Sequence, residues 1–223
     1  MAPPHPLQHR DHRDLHHWVI GDLHGCAASL IHLLERIPIE HRLIFCGDVI
    51  NRGPAIEACM ETVWRLVTQN RAVWLMGNHE RDLLQLLDRN DWLSRQRLTA
   101  TDTHRQLGEQ RTRLWAQRLR RLPLVYWGKG WVATHAGFDP FSWEPSLDVR
   151  MAFWQRYDGR YGEVVVGHTP GPEVRCLNGI RLIDTGACYG GQLSAYCPET
   201  GALLQVPGVV SAPLTPQRDL LPL

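Results

Sequence analysis

The chain has 223 residues, 43% hydrophobic and 21% charged, which is enough apolar material for one domain with its own core. A formal net charge of +1 offers no bulk attraction to a nucleic-acid polymer or a membrane surface, so neither is expected as a partner. No apolar run reaches the ~20 residues of a membrane helix, and the opening MAPPHPLQHRDHRDLHH lacks the apolar stretch of a signal peptide, so a cytoplasmic location is expected.

Residues 1–16, polar and rich in histidine, are expected to form a flexible leader. WVIGDLHGC (18–26) is an apolar run closed by Gly21, Asp22 and His24. After it, Leu30, Leu33, Leu34 and Ile37 follow the i, i+3, i+4, i+7 spacing of an amphipathic helix. FCGDVINRGP (45–54) repeats the pattern of strand and polar turn, and Pro54 is placed as the first residue of a second helix. Ile56, Met60, Val63, Trp64 and Val67 would give that helix its apolar face. AVWLMGNHE (72–80) is a third run, and a third helix is expected from about Glu80 through Leu83, Leu84 and Leu87. Strands alternating with helices imply parallel pairing through right-handed crossovers.

Residues 91–121 form a helical insert with eight arginines (Arg95, Arg97, Arg105, Arg111, Arg113, Arg118, Arg120 and Arg121) against Asp91, Asp102 and Glu109. Two readings stand side by side: a solvated helical face, or a basic lid that attracts a phosphate-rich substrate. Beyond it, hairpins are expected around Gly128-Lys129-Gly130, at Asn178-Gly179 and within QLSAYCPETGALLQV, so the second half should be mostly antiparallel. Residues 207–223, rich in proline, are expected as a surface tail. The six cysteines form no CxxC pair and are expected as reduced thiols, mostly in the core.

The recurrence of one pattern carries the functional signal. WVATHAG (131–137) and VVVGHTP (164–170) are again apolar runs, ending on His135 and His168, so five runs end in a residue of metal-ligand type. Ligands of open α/β sheets gather outside the strand ends. Taken as a set, Asp22, His24, Asp48, Asn78, His135 and His168 could hold two divalent ions ~3.5–4 Å apart. Asp22, His24 and Asp48 would serve one, and Asp48, Asn78, His135 and His168 the other, with Asp48 bridging. Carboxylate, amide and imidazole donors without thiolate suit manganese, with iron or zinc also compatible. Arg52, on the turn that carries Asp48, has the planar fork to hold two phosphoryl oxygens, and His79 is placed to protonate a leaving oxygen.

GDLHG, GDVINRG, GNHE, HAG and GHTP in this order resemble the PPP-type metallophosphoesterases, closest to the small bacterial and bacteriophage-lambda-type serine/threonine phosphatases and related to the symmetrical diadenosine tetraphosphatases. HHWVIGDLHGC, VVVGHTP and IDTGACYGGQLSA carry the likeness, which spans about residues 17–206. It implies a mixed α/β fold, a two-sheet β-sandwich flanked by helices of calcineurin-like architecture. It also implies two metal ions and phosphoester hydrolysis by direct attack of a water that bridges them. The family's ligand set falls on the six residues above, its phosphate-binding arginines on Arg52 and Arg156, and its acid histidine on His79.

Asn51 departs from the pattern. The protein phosphatases have aspartate there, paired with the acid histidine, whereas the diadenosine tetraphosphatases lack it. The resemblance therefore puts a serine/threonine (or dual-specificity) phosphatase acting on phosphorylated protein or peptide first. The alternative is a symmetrical bis(5'-nucleosyl)-tetraphosphatase acting on a dinucleoside polyphosphate. A catalytically inactive metal-binding module is a third, more remote reading.

Overall fold

The computed structural model describes residues 15–89 and 91–209, so most of the leader and of the tail lies outside the described residues. β1 (His17–Ile20), α1 (Ala27–Leu34), β2 (Arg42–Phe45), α2 (Ile56–Thr68), β3 (Ala72–Trp74) and α3 (Asn78–Asp88) alternate as the sequence predicts. α4 (Trp92–Ala100) and α5 (Asp102–Leu119), kinked at Gly108, make up the insert. β4 (Val125–Trp127), β5 (Trp131–Thr134), β6 (Gly137–Phe138), β7 (Pro145–Ser146), α6 (Met151–Arg156), β8 (Glu163–Val166), β9 (Arg175–Leu177), β10 (Ile180–Leu182), β11 (Gln192–Cys197) and β12 (Ala202–Pro207) complete the chain.

Two five-stranded sheets result, in the orders β12-β11-β1-β2-β3 and β4-β5-β8-β10-β9. The central strands are apolar on both sides because both faces of each sheet are covered there, whereas the edge strands β9 and β12 are largely exposed. In the first sheet Val19 and Ile44 face the second sheet, where they meet Ala133, Val165 and Ile183. Trp18, Ile20, Leu43 and Phe45, one residue out of phase, face α1, α2, α3 and α5. The second sheet turns Val132, Val164, Val166 and Ile180 to Phe153 and Trp154 of α6. The layers are thus helices, sheet, sheet, helix. Complete burial of Leu30 and Leu33 on α1 contributes roughly 2 kcal/mol each. No helix of the described residues is long and apolar enough to cross a membrane. All six cysteines are free, and only Cys176 is exposed.

Two local expectations change, and a third needs one qualification. α1 stops at Leu34, so Ile37 lies beyond it, in a turn before Pro38, although its side chain is still buried; a residue before proline is disfavoured in helical geometry. α2 begins at Ile56 rather than Pro54, because Ala55 is non-helical (φ −135°) and Gln106 Oε1 accepts the Ile56 N–H at 2.9 Å. The second half is mostly antiparallel, as expected, but not throughout. The three predicted hairpins form as β4–β5, β9–β10 and β11–β12, but β5, β8 and β10 run parallel to one another.

That last point positions the site. β1, β2 and β3 are parallel in one sheet and β5, β8 and β10 in the other, so six strands deliver their C-terminal ends as two sets of three.

Candidate metal centre

Each of those ends carries a polar residue: Asp22 with His24 after β1, Asp48 after β2, Asn78 after β3, His135 after β5, His168 after β8 and Asp184 after β10. Sequence reasoning named all but the last. Asp184 follows Ile180–Ile183, a run broken by Arg181, so the local pattern did not single it out.

The turns are tight. Eight non-glycine residues of the described chain have positive φ, and five of them are His24 (42°), Asp48 (49°), Asn51 (64°), Arg52 (67°) and His168 (65°). Each such residue costs about 1 kcal/mol, and strain of this kind persists where surrounding contacts over-determine it. Glu80, fully buried, supplies some of those contacts: its carboxylate accepts from the N–H of Gly77 (3.0 Å), Asp48 (2.9 Å) and Val49 (2.9 Å). Gly77 must be glycine, since a Cβ there would lie 2.2 Å from Asp48 Oδ1.

The six expected ligands converge, and Asp48 lies at their centre. Its Oδ1 is 3.7 Å from His135 Nε2 and accepts from His79 N–H at 3.0 Å, while its Oδ2 is 3.6 Å from His24 Nε2. Donor atoms of Asp22, Asp48 and His135 fall within 4.8 Å of one another, as do those of His24, Asp48 and His79. Asp48 is common to both groups, although Asp22 groups with His135 rather than with His24 as expected. His24 and His135 each donate Nδ1–H to a backbone carbonyl, Ile50 and Cys46, both at 2.8 Å, which leaves their Nε2 lone pairs pointing inward. Asn78 Oδ1 lies 2.8 Å from His135 Nε2 and 3.0 Å from His168 Nδ1, and these two nitrogens are 3.2 Å apart.

The charge balance asks for cations. Asp22, Asp48, Glu80 and Asp184 are all buried. Burial, then the neighbouring Asp184 and Asp48, pushes Asp22 well above the usual carboxylate range; burial likewise raises Asp48 to about 7 and Glu80 to about 8. The imidazoles are held neutral: burial lowers His135 to about 4, and burial, with the His135 ring so close that both cannot be charged, lowers His168 to about 3. Buried carboxylates beside unprotonated imidazoles are stable when a metal ion takes up the charge and the lone pairs. The donor set therefore fits divalent metal.

Beside the cluster, Arg52 donates from Nη1 to His24 Nε2 at 2.8 Å, and its guanidinium lies 5.3 Å from the ring centre of the exposed Tyr189. His79 Nε2 is 3.8 Å from Asp48 Oδ2, and its Nδ1 meets Asn51 Nδ2 at 2.9 Å. Burial and the Arg52 cation hold His79 down at about 3. Arg156 does not join this group. It is exposed on α6, with its guanidinium 4.7 Å from the Phe141 ring centre, and the arginines whose charges act on His168 are Arg150, just before α6, and Arg52.

The insert touches the same turn. Asp102 accepts the Arg52 N–H (3.1 Å), Thr103 binds Asn51, and Gln106 donates to the Gly53 carbonyl (2.9 Å). Four of its eight arginines are engaged elsewhere: Arg111 pairs with Glu57 (2.8 Å), Arg113 with Glu109, Arg120 with Asp88, and Arg118 stacks on Trp115 (4.5 Å).

A four-layer sandwich with an oxygen- and nitrogen-rich cation site at its parallel strand ends, flanked by an arginine and a histidine, defines the class as a metal-dependent hydrolase fold. The chain belongs to the calcineurin-like phosphoesterase family, whose sequence profile matches residues 15–208. It is 29% identical to the symmetrical bis(5'-nucleosyl)-tetraphosphatase of Xanthomonas axonopodis pv. citri, over 92% of this chain and 90% of that one. It is 28% identical to serine/threonine-protein phosphatase 1 of Salmonella typhimurium, over 87% of this chain and 97% of that one. A crystal structure of a candidate diadenosine tetraphosphatase superposes with a TM-score of 0.68 at 21% identity, covering 89% of this chain and 96% of that one.

Proposed function

We propose that this metallophosphoesterase cleaves a phosphoanhydride bond, with a dinucleoside polyphosphate as its substrate class. One observation carries the reading. The group facing His79 Nδ1 is the Asn51 amide nitrogen, an N–H donor, where a carboxylate would accept. A donor at that place keeps Nδ1 unprotonated, so the ring carries its proton on Nε2 and works as a neutral hydrogen-bond donor rather than an imidazolium acid. An alkyl ester needs a proton on its departing alkoxide; a phosphoanhydride releases a phosphate that is stable as an anion.

The ligand residues Asp22, His24, Asp48, Asn78, His135 and His168 would hold two divalent ions, which when bound supply Lewis-acid charge and an activated water. Arg52 would grip two oxygens of the phosphoryl group with its fork, freed from His24 once that nitrogen takes a ligand role. His79, held by Asn51, would hydrogen-bond the departing oxygen through Nε2.

The phosphomonoesterase reading is kept as the second, favoured by the likeness to serine/threonine-protein phosphatase 1 over 97% of that protein's length. The test compares kcat/KM for diadenosine tetraphosphate and for a phosphoserine peptide with Mn²⁺ present. A preference for the dinucleotide of tenfold or more is expected. A preference for the phosphopeptide would replace the first reading by the second, and turnover of neither, nor of an aryl phosphate, would leave a metal-binding module without catalysis.

A further inference from the structure

We infer that Thr103, supplied by the insert at the start of α5, is a positioning residue that fixes the Asn51 amide and thereby the proton of His79, making the insert a determinant of leaving-group specificity. The inference deepens the phosphoanhydride reading and rests on it for its consequence, but not for its geometry.

Thr103 is fully buried, and three hydrogen bonds tie it to Asn51. Its backbone N–H donates to Asn51 Oδ1 at 3.3 Å, and its hydroxyl stands 2.6 Å from the same oxygen. The hydroxyl also accepts the Asn51 backbone N–H at 3.1 Å, so its own hydrogen is left to point at Oδ1. A backbone N–H can only donate, so the Asn51 atom it meets must be the amide oxygen. Two donors converge on that oxygen. Turning the amide over would set its NH₂ against both of them and leave the Thr103 N–H without an acceptor in a buried place. The amide is therefore locked with Nδ2 toward His79 Nδ1, 2.9 Å away.

Thr103 is itself well placed. It follows Thr101, whose hydroxyl caps α5 by accepting the His104 N–H at 3.2 Å, and it lies between Asp102 and Gln106, which hold Arg52 and Gly53 of the same turn. The contact reaches across 52 residues of sequence. In the hydrolytic step this arrangement serves, water oxygen bonds to phosphorus and the bridging P–O bond breaks. The leaving phosphate departs with the electron pair as an anion, and the water proton passes to solvent. His79 Nε2–H hydrogen-bonds the departing oxygen and keeps its proton.

The experiment uses the full-length chain with histidine ring nitrogens labelled with ¹⁵N, in wild type, Thr103→Val and Thr103→Ser. In the wild type, the His79 ring should show Nε2 protonated and Nδ1 unprotonated. In Thr103→Val, which removes the 2.6 Å hydroxyl donor and leaves Oδ1 only the longer backbone donor at 3.3 Å, a share of the Asn51 amides should turn over and the Nδ1 signal should move toward the protonated position. The kcat/KM ratio of diadenosine tetraphosphate to phosphoserine peptide should fall by about tenfold. Thr103→Ser should restore both within about twofold. A wild-type His79 protonated on Nδ1 would overturn the inference, even if Thr103→Val fails to fold. An unchanged ring spectrum in a folded Thr103→Val would overturn it too. If the wild type turns over neither substrate, the proposed function fails while the ring spectra still decide the role of Thr103.

Discussion

Replacing Asn51 with aspartate should reverse the hydrogen bond to His79. One carboxylate oxygen would keep the two donors of Thr103, at 2.6 and 3.3 Å, and the other would stand where Nδ2 now lies, 2.9 Å from His79 Nδ1. A donor becomes a charged acceptor. The ring must then carry a proton on Nδ1, and the imidazolium gains an ion pair. Unit charges about 4 Å apart at an effective dielectric near 20 attract by about 4 kcal/mol, and each pKa unit is worth about 1.4 kcal/mol. The ring is partly open to solvent, so a rise of roughly 2 units is expected from the present value of about 3. The sign is upward, and the alkaline limb of the pH–rate profile moves to higher pH. The assay is kcat/KM for phosphoserine, for p-nitrophenyl phosphate and for diadenosine tetraphosphate at fixed Mn²⁺. Proton donation to an alkoxide is worth about 10²-fold or more, so the alkyl-to-aryl ratio should rise by about that factor while the anhydride gains little. An alkyl-to-aryl ratio within twofold of wild type, with the pH profile unmoved, would remove His79 from the leaving-group side of the mechanism.

The other predictions concern the cluster and the insert. Asp48→Asn should lose bound metal and activity together, because both oxygens of Asp48 face imidazole nitrogens; full metal occupancy with normal turnover would refute the shared-ligand role. Arg52→Ala should lower kcat by ~10²-fold or more without loss of metal, as expected for a charged contact that tightens in the transition state; an unaltered kcat/KM would count against phosphate binding by Arg52. Reversing Arg111 and Arg113 to glutamate should leave KM for every phosphorylated substrate within about twofold, since Arg111 pairs with Glu57 and Arg113 with Glu109 away from the turn. A large, salt-sensitive rise in KM would instead favour a basic lid.

The sequence by itself determined where strands end and what stands at their ends. An apolar run closed by a residue of metal-ligand type, in four of five cases with a glycine just before it, is a local pattern, and it located Asp22, His24, Asp48, Asn78, His135 and His168 without knowledge of any neighbour. It also located the three hairpins, because turn chemistry is local. What it did not encode legibly was which strand lies beside which. β5 and β10 read as members of hairpins, yet each also pairs in parallel with β8, and pairing depends on burying both faces against distant layers rather than on the strand's own residues. For the same reason Asp184 became visible as a site residue only once β10 stood beside β8. Arg156 lies on a short helix, and only the way α6 packs sends it to Phe141 rather than to the cluster. The insert shows the limit most clearly. Its arginines dominate its composition, but the residues that reach the site turn are Asp102, Thr103 and Gln106. A hydrogen bond between Asn51 and Thr103 leaves no periodicity in the sequence, because its geometry exists only after α5 has packed against α2 and brought the two segments together.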